Sequence, residues 1–497
     1  MGQPIAIGLD VGLSTTKAVA FTTDGEVVAA ACRESVNSLP RPRWVERDPQ
    51  AFRTMVLDVL ADLVGQLGRR EIAGVSLTAH GDGVWVLGPD GEILRPGILS
   101  LDSRAREQAA TMSDGERGRR LAELAGQLPM SSSAGPELRW LKENEPDTYR
   151  RIRWILFTKD VVRYWLTGEV GQDFTEASSG FTSVATQKVS PEALEVMGIP
   201  ELAGCIPPIR QSLERGGAIT AEVAGVTGIP EGTMVATGLH DIVAGSVGAG
   251  AVRPGDASVV AGSFCVNQYI TDVPLTGDWM TRSFTAEGSW NLITASPSSS
   301  TNLDWYAHVM VPELVAGSRA AGTGDFGFLD GLLQDLEPLA EGSPYYLPFL
   351  FGSPLPVDAS AGIVGLRAWH TRADVVRSVL EGIAHNHRHH LDRLPIPDTT
   401  VPKVMGGVSR NRLWSQMLAN TLGREIEITA TPEPGAMGAA MAAFVAAGVF
   451  PDTESAVSAM VGTGLRVAPD DGAAGMQQRY ERYRELLDAM SGWWGVR

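Results

Sequence analysis

The feature that most constrains this chain is an apolar run that ends on a carboxylate, Ile5-Ala6-Ile7-Gly8-Leu9-Asp10. Such a run reads as a buried strand, and an acidic side chain that is costly inside a strand core is useful at its end. Gly12, Ser14 and Thr15 allow a close turn before an extended pattern resumes at Lys17, and Asp24-Gly25 marks a second turn. Residues 5–31 therefore read as hairpin-linked strands. The second half repeats the theme. Residues 258–261 run into the small pair Gly262-Ser263, and Val404-Met405 runs into Gly406-Gly407.

Between these points helical and extended patterns alternate. Asp48 is placed to cap a helix whose apolar residues Phe52, Met55, Val56, Val59, Leu60 and Leu63 recur at helical spacing. Residues 72–78 read as the next strand, 80–83 as a polar turn and 84–87 as another strand. Residues 104–168 read mainly as helices, with a short strand over 154–157, and strand signals resume at Met234. Later helices are expected over 413–422, 436–448 and 477–490. Hairpins mixed with crossover helices favour a mixed α/β fold over a purely parallel one. At 497 residues the chain is long enough for two large cores. The division is expected near residue 247, giving domains of 1–247 and 248–497.

Charge and cysteine usage exclude several classes. Lys plus Arg number 41 against 58 Asp plus Glu, a formal charge of -17, so the mean field repels nucleic acid and anionic membranes while leaving room for a local phosphate site. Cys32, Cys205 and Cys265 are far apart and form no CxxC pair, a poor disulfide or zinc pattern that fits a reducing compartment. Residues 1–4 lack a basic segment followed by an apolar core, and the apolar run over 436–450 is shorter than a membrane span. Cytoplasmic residence is the expectation, with no nucleic-acid or membrane partner.

Several positions carry chemistry. Asp10 can attract magnesium through water while main-chain donors and Lys17 meet phosphate oxygens, yet residues 10–17 match neither a Walker A loop nor a dinucleotide fingerprint. His80 and Asp82 share one glycine-bounded loop, and Asp102 and Arg104 share another. Both offer the donors and acceptors that a hydroxyl-rich ligand needs. Asp102 equally suits the cap of a helix beginning near Ser103. Asp241, after Gly238-Leu239-His240, reads either as a base for an alcohol in phosphoryl transfer or as a helix cap. Gly262-Ser263 and Gly406-Gly407-Val408-Ser409 can expose backbone amides to phosphate. Residues 435–440 suit either adenosine or tight helix packing. His385 and His389 share a helix face, where burial or solvation is a better reading than metal binding.

Taken in order, IGLDVGLSTTKAVAF, WVERDP, HGDG, LDSRA, GLHDIVAGSVGAG, GSFCVNQ, MGGVSRNRLWSQMLAN and PEPGAMGAAMAA resemble the FGGY carbohydrate kinase family across nearly the whole chain. The resemblance implies an α/β fold of two actin-like ATPase (ribonuclease H-like) domains with an interdomain cleft. It implies that ATP and Mg2+ serve a small-molecule sugar or polyol, and a homodimer is expected by the same analogy. Asp10 would position hydrated magnesium, with Gly12, Ser14, Thr15 and Lys17 around the transferred phosphate. His80, Gly81, Asp82, Asp102 and Arg104 would face the acceptor, with Asp241 as catalytic base. Gly262 and Ser263 would bind terminal phosphates, and Gly406, Gly407, Val408, Ser409 and Asn411 would lie near the nucleotide.

Three residues depart from the family pattern: Ser263 for threonine, Val408 for a third glycine, and Asn420 where Asp is frequent. WVERDP and the broad pattern resemble xylulose-type kinases, including the branch for L-xylulose or related acidic ketoses. HGDG and GLHD also suit erythritol-type kinases. An acidic acceptor is disfavoured by Asp82 and Asp102 unless Arg104 or another base neutralises them, so a neutral pentulose such as xylulose, or a short polyol, is expected. A non-catalytic actin-like carbohydrate sensor is the contrasting class, which retention of Asp10 and Asp241 disfavours.

Overall fold

A computed structural model of the chain describes residues 3–334, 342–352, 359–431 and 433–495, and the side chains of Gln334, Ser409 and Arg410 lie outside the described residues. The chain forms two compact units. The first comprises Met1–Pro254, Ile270–Leu292 and Thr431–Gly462, and the second comprises Gly255–Tyr269, Ile293–Ala430 and Thr463–Arg497. The chain first leaves the first unit close to the expected division at 247, then returns to it twice. A single cut therefore does not describe the packing.

In the first unit the opening strand Ile5–Val11 pairs antiparallel with Thr15–Thr22, which pairs antiparallel with Val27–Glu34. On its other side it pairs parallel with Ile72–Ala79, followed by Met234–Ala236 (parallel) and Arg215–Ala218 (antiparallel). Both faces of this sheet are covered. Ile5, Ile7, Leu9 and Val11 face a core with Phe52, Val56, Val59 and Leu63 of helix Pro49–Leu67. Asp48 caps that helix as expected, accepting from the N–H groups of Gln50 and Ala51. Ala6, Val19 and Phe21 face Val243, Ala436 and Ala440, so alternate residues of the same strands serve opposite helices.

That second face explains why the late segment returns. Helix Pro434–Ala446 lies on the opening strand because both surfaces are nearly bare. A Cβ at Gly8 would overlap the carbonyl of Ala436, and one at Gly438 would overlap that of Ala244. The stretch over 435–440 thus takes the packing reading. Helices Ala134–Asn144, Thr158–Thr167 and Phe174–Ala177 also belong to this unit.

The second unit repeats the strand plan. Ala257–Ala261 pairs antiparallel with Cys265–Thr271 and parallel with Lys403–Gly406, followed by Ile426–Ile428 (parallel) and Leu465–Val467 (antiparallel). Its core joins Val259, Val404 and Ile426 to Val376, Leu380 and Ile383 of helix Arg372–Leu391 and Leu418 of helix Arg412–Leu422. His385, His387 and His390 are buried in this unit, in line with the burial reading. Among the described residues no helix is long and apolar enough to cross a membrane.

Candidate active site

The opening hairpin brings Asp10 opposite Lys17, and the parallel neighbour brings Thr78 beside it. Lys17 Nζ lies 2.7 Å from Glu433 Oε1, at the entry to helix Pro434–Ala446. Desolvation at the strand end, the charge of Asp241 and that of Glu433 push Asp10 up to about 7, against the pull of Lys17. The turn that follows is tied from behind. Arg47, fully buried, donates through Nη2 to the carbonyls of Gly12 (3.3 Å) and Leu13 (3.1 Å), and through Nε to Asn37 (3.0 Å). Asn37 in turn donates to Leu13 O at 2.8 Å, leaving Ser14 and Thr15 exposed at the tip. Desolvation lowers Arg47 to about 10.

Asp241 is the first residue of helix Asp241–Gly248, and His240 is its N-cap. Its Oδ1 lies 2.7 Å from the N–H of Ile242 and 3.0 Å from His240 Nδ1. Burial works against ionisation of Asp241, but the His240 charge and hydrogen bond outweigh it and hold the carboxyl below its ordinary value. Two carboxyls in one electrostatic neighbourhood are therefore driven apart, Asp10 upward and Asp241 downward, a pattern that separates acid–base roles.

The strand Ile72–Ala79 delivers the next loop. His80 is buried against Ser100 Oγ (3.2 Å) and Thr158 Oγ1 (3.3 Å), and burial followed by the Arg47 charge lowers it to about 3. It is a neutral hydrogen-bonding ring. Gly81 must be glycine, since a Cβ would overlap the His240 imidazole. Asp82 takes a φ of 59°, with its N–H 3.2 Å from Glu176 Oε1 and its Oδ1 3.5 Å from Arg282 Nη2.

Asp102 and Arg104 form a closed knot. Asp102 Oδ2 accepts from Arg104 Nη2 at 2.7 Å and from the N–H of Val45 at 2.7 Å. Asp102 Oδ1 accepts from the N–H of Arg104 at 2.8 Å. Arg104 Nη2 also lies 2.8 Å from Glu46 Oε1, and its guanidinium covers Trp44 at 4.0 Å. Burial opposes the charge, but Asp102 and Glu46 hold the guanidinium above its ordinary range. The helix-cap reading of Asp102 fails here, because the next helix is Arg106–Ser113 and its N-cap is Ala105. Glu137 is buried nearby, and neither carboxyl oxygen finds a hydrogen-bond partner among the described residues. Burial and then the Asp102 charge raise it well above the carboxylate range.

The second unit assembles the glycine turns. Gly406 has a φ of 102°, and a Cβ there would lie 2.5 Å from Ala261 O and 2.8 Å from Gly262 N. Gly262 O accepts from Ser300 N (2.9 Å) and Oγ (2.6 Å), and Ser263 O accepts from Thr301 Oγ1 (3.1 Å). Gly407 opens the turn Gly407–Arg410, in which Val408 is buried in the core and the Ser409 side chain lies outside the described residues. Asn411 caps helix Arg412–Leu422, accepting from Trp414 N (2.9 Å) and donating to Asp330 (2.8 Å).

Family models for the N-terminal and C-terminal domains of the FGGY family of carbohydrate kinases match residues 5–248 and 257–447. The chain belongs to the FGGY family of carbohydrate kinases. An L-xylulose/3-keto-L-gulonate kinase of Escherichia coli (strain K12) is 31% identical, with 98% of this chain and 97% of that one covered. An erythritol kinase of Brucella abortus (strain 2308) is 25% identical over 99% of this chain and 97% of its own length. The crystal structure of a xylulose kinase from Rhodospirillum rubrum superposes with a TM-score of 0.88 at 27% identity, over 99% of each chain. The two-domain α/β fold and the carbohydrate kinase activity follow from this membership, with ATP as phosphate donor and a sugar-type small molecule as acceptor.

Against the FGGY pattern, Asn420 has a local role. Its Nδ2 donates to Asp470 Oδ1 (2.7 Å) and its Oδ1 accepts from Asp470 N (2.9 Å). Sequence reasoning passed over Arg47, Glu176, His240, Arg282 and Glu433 as site residues. Arg47 and Glu433 stood inside the recognised WVERDP and PEPGAMG segments, and His240 immediately preceded Asp241. Glu176 and Arg282 carried no local signal.

Proposed function

We propose that this FGGY kinase transfers the γ-phosphate of ATP to a hydroxyl of a neutral pentulose of the xylulose type. The observation that carries this reading is Asp241, held ionised at a helix N-terminus beside a second carboxyl whose pKa is raised. An ionised carboxylate can accept the hydroxyl proton as the acceptor oxygen attacks phosphorus. The bond from the γ-phosphorus to the bridging oxygen breaks as the new P–O bond forms, and ADP leaves with the electron pair. His80, Gly81, Asp82 and the Asp102–Arg104 knot orient the acceptor hydroxyls. The turn over 12–17 cradles the transferred group, and the glycine turns at 262–263 and 406–411 hold the nucleotide. Residues 1–247 on this reading supply most of the acceptor site and residues 248–497 most of the nucleotide site.

Magnesium fits the first unit. Asp10 carries a carboxyl raised first by burial and then by the negative charges of Asp241 and Glu433, and a cation relieves that charge field. Among the described residues no group of three His, Cys, Asp or Glu is placed to enclose an ion, so Asp10 would hold it with water and phosphate completing the shell. When bound, the ion supplies positive charge to the phosphate oxygens.

Arg104 answers Asp102 and Glu46, and Arg282 lies 3.5 Å from Asp82 Oδ1. Repulsion by these carboxylates therefore does not separate a neutral from an acidic acceptor, and the neutral pentulose rests on the likeness to xylulose kinases. A short polyol is the second reading, supported by similarity to the erythritol kinase. The test is ADP release with D-xylulose, L-xylulose, ribuloses, erythritol, threitol, glycerol and 3-keto-L-gulonate. A neutral pentulose is expected to give the highest kcat/KM. Turnover confined to the acidic sugar would overturn the reading.

A further inference from the structure

Beside Asp241 lies a buried chain of contacts that the phosphoryl-transfer scheme has not used. Strand Met280–Ser283 carries Arg282, a buried side chain of the first unit. Its Nε donates to Gln127 Oε1 at 3.0 Å, and its Nη2 lies 3.5 Å from Asp82 Oδ1. Its Nη1 lies 3.0 Å from His240 Nε2. The opposite ring nitrogen, Nδ1, lies 3.0 Å from Asp241 Oδ1. The imidazole is held by its backbone too, since the N–H of His240 donates to Thr175 Oγ1 at 2.9 Å, and only a glycine at 81 leaves room for the ring.

A guanidinium has donors and no acceptor. In the neutral ring, His240 Nε2 at 3.0 Å from Nη1 presents its lone pair, which puts the ring proton on Nδ1. The N–H of Ile242 approaches Nδ1 at 3.3 Å but Asp241 Oδ1 at 2.7 Å, so that amide is satisfied by the carboxylate and does not compete for Nδ1. Both shorter bonds fall on the same oxygen of Asp241, which fixes the rotation of the carboxylate.

We propose that Arg282 is a positioning residue for the base: by donating to Nε2 it holds His240 as the Nδ1–H tautomer, and Nδ1–H orients Asp241 for the acceptor hydroxyl. The inference rests on Asp241 being the base. Charged and titratable groups converge on this ring from several elements. Glu176 approaches Nε2 at 3.9 Å, Asp82 pairs with Arg282, and the His80 ring and Asp241 complete the surroundings, with Asp241 acting on Asp10 in turn. Burial opposes a second proton on the ring, but Glu176 and Asp241 outweigh it and hold His240 above its ordinary value, with Arg282 pulling the other way. Removing the guanidinium therefore releases His240 both to switch tautomer toward Glu176 and to ionise.

The experiment compares Arg282→Met, Arg282→Lys and Asp241→Asn by ADP release over pH 5.5–9, using the best acceptor from the substrate screen. Arg282→Met is expected to lower kcat by about 10²-fold and to displace the acid limb of the kcat profile. Arg282→Lys, which keeps a donor, is expected to recover part of kcat. Wild-type kcat and an unmoved acid limb in Arg282→Met would overturn the inference. If Asp241→Asn is inactive in that case, the base reading survives alone. If Asp241→Asn keeps near-normal turnover, both fall. Ring 15N shifts of the intact wild-type protein, assigned with His240→Gln, provide a measurement independent of the stability of an Arg282 variant. Protonated Nδ1 with bare Nε2 supports the inference, and the reverse tautomer overturns it.

Discussion

A Cβ built on Gly435 would lie 2.7 Å from Oδ2 of Asp10, so the carboxylate at the end of the opening strand occupies space that only glycine leaves open. The two residues belong to segments far apart in sequence and meet because helix Pro434–Ala446 lies directly on strand Ile5–Val11. Gly435→Ala is expected to displace the Asp10 side chain and lower kcat by at least about 10-fold, since small misplacements of reacting groups are costly. Steady-state ADP release with thermal melting checks this. Unchanged kcat in a folded variant would separate Asp10 from the chemistry.

Arg47 supports the turn over 12–17 from behind. Its forked donors reach Gly12 O, Leu13 O and Asn37 together, a geometry that lysine cannot reproduce. Arg47→Lys is expected to leave at least one carbonyl without its donor, to cost about 1–3 kcal/mol, and to raise KM for ATP several-fold. Denaturant unfolding and ATP titration measure the two effects separately. Loss of stability with unchanged KM would confine Arg47 to a structural role.

Glu176 makes stability depend on pH. Burial raises its carboxyl from 4.5 to about 7, with Asp82 and Asp160 adding to the rise and His240 and Lys159 opposing it. Between those values the folded protein keeps a proton that the unfolded chain gives up. This contribution therefore falls as pH rises through the window. Glu176→Gln is expected to flatten the fall, so that its stability relative to the parent improves from pH 5 to pH 8 by an amount on the order of 2–3 kcal/mol. Urea unfolding at both pH values gives the difference. An identical slope in the two proteins would contradict the assignment.

Asn420 is read as a local clasp on Asp470 rather than a nucleotide ligand. Asn420→Asp would turn its donor into a second carboxylate facing Asp470, replacing the 2.7 Å bond by repulsion. The expected result is a loss of about 1 kcal/mol with unchanged KM for ATP, because Asp470 is exposed and solvent screens much of the repulsion. Melting temperature and KM together distinguish this from a role in nucleotide binding.

Much of the fold was legible in sequence. The run ending at Asp10, the Asp24-Gly25 turn and the Asp48 cap predicted strands and a helix that are observed. Alternation and capping act over a few residues, so their consequences can be read locally. The candidate site residues that stood out in sequence were those at the end of such an element, as Asp10, His80 and Asp241 are. Asp102 was ambiguous because the same Asx geometry serves a helix cap and an arginine knot, and only the position of the next helix distinguished them.

Sequence by itself determined where strands stop, which turns are glycine-permitted and in what order the family's motifs run. Tertiary structure alone decided that helix Pro434–Ala446 joins the first unit, that Lys17 meets Glu433, and that Arg282 reaches the ring beside Asp241. The reason is physical. Backbone periodicity is a property of neighbours along the chain, whereas charge coupling and hydrogen bonding depend on separation through space. Arg282 has no identifiable partner until the fold places His240 Nε2 at 3.0 Å.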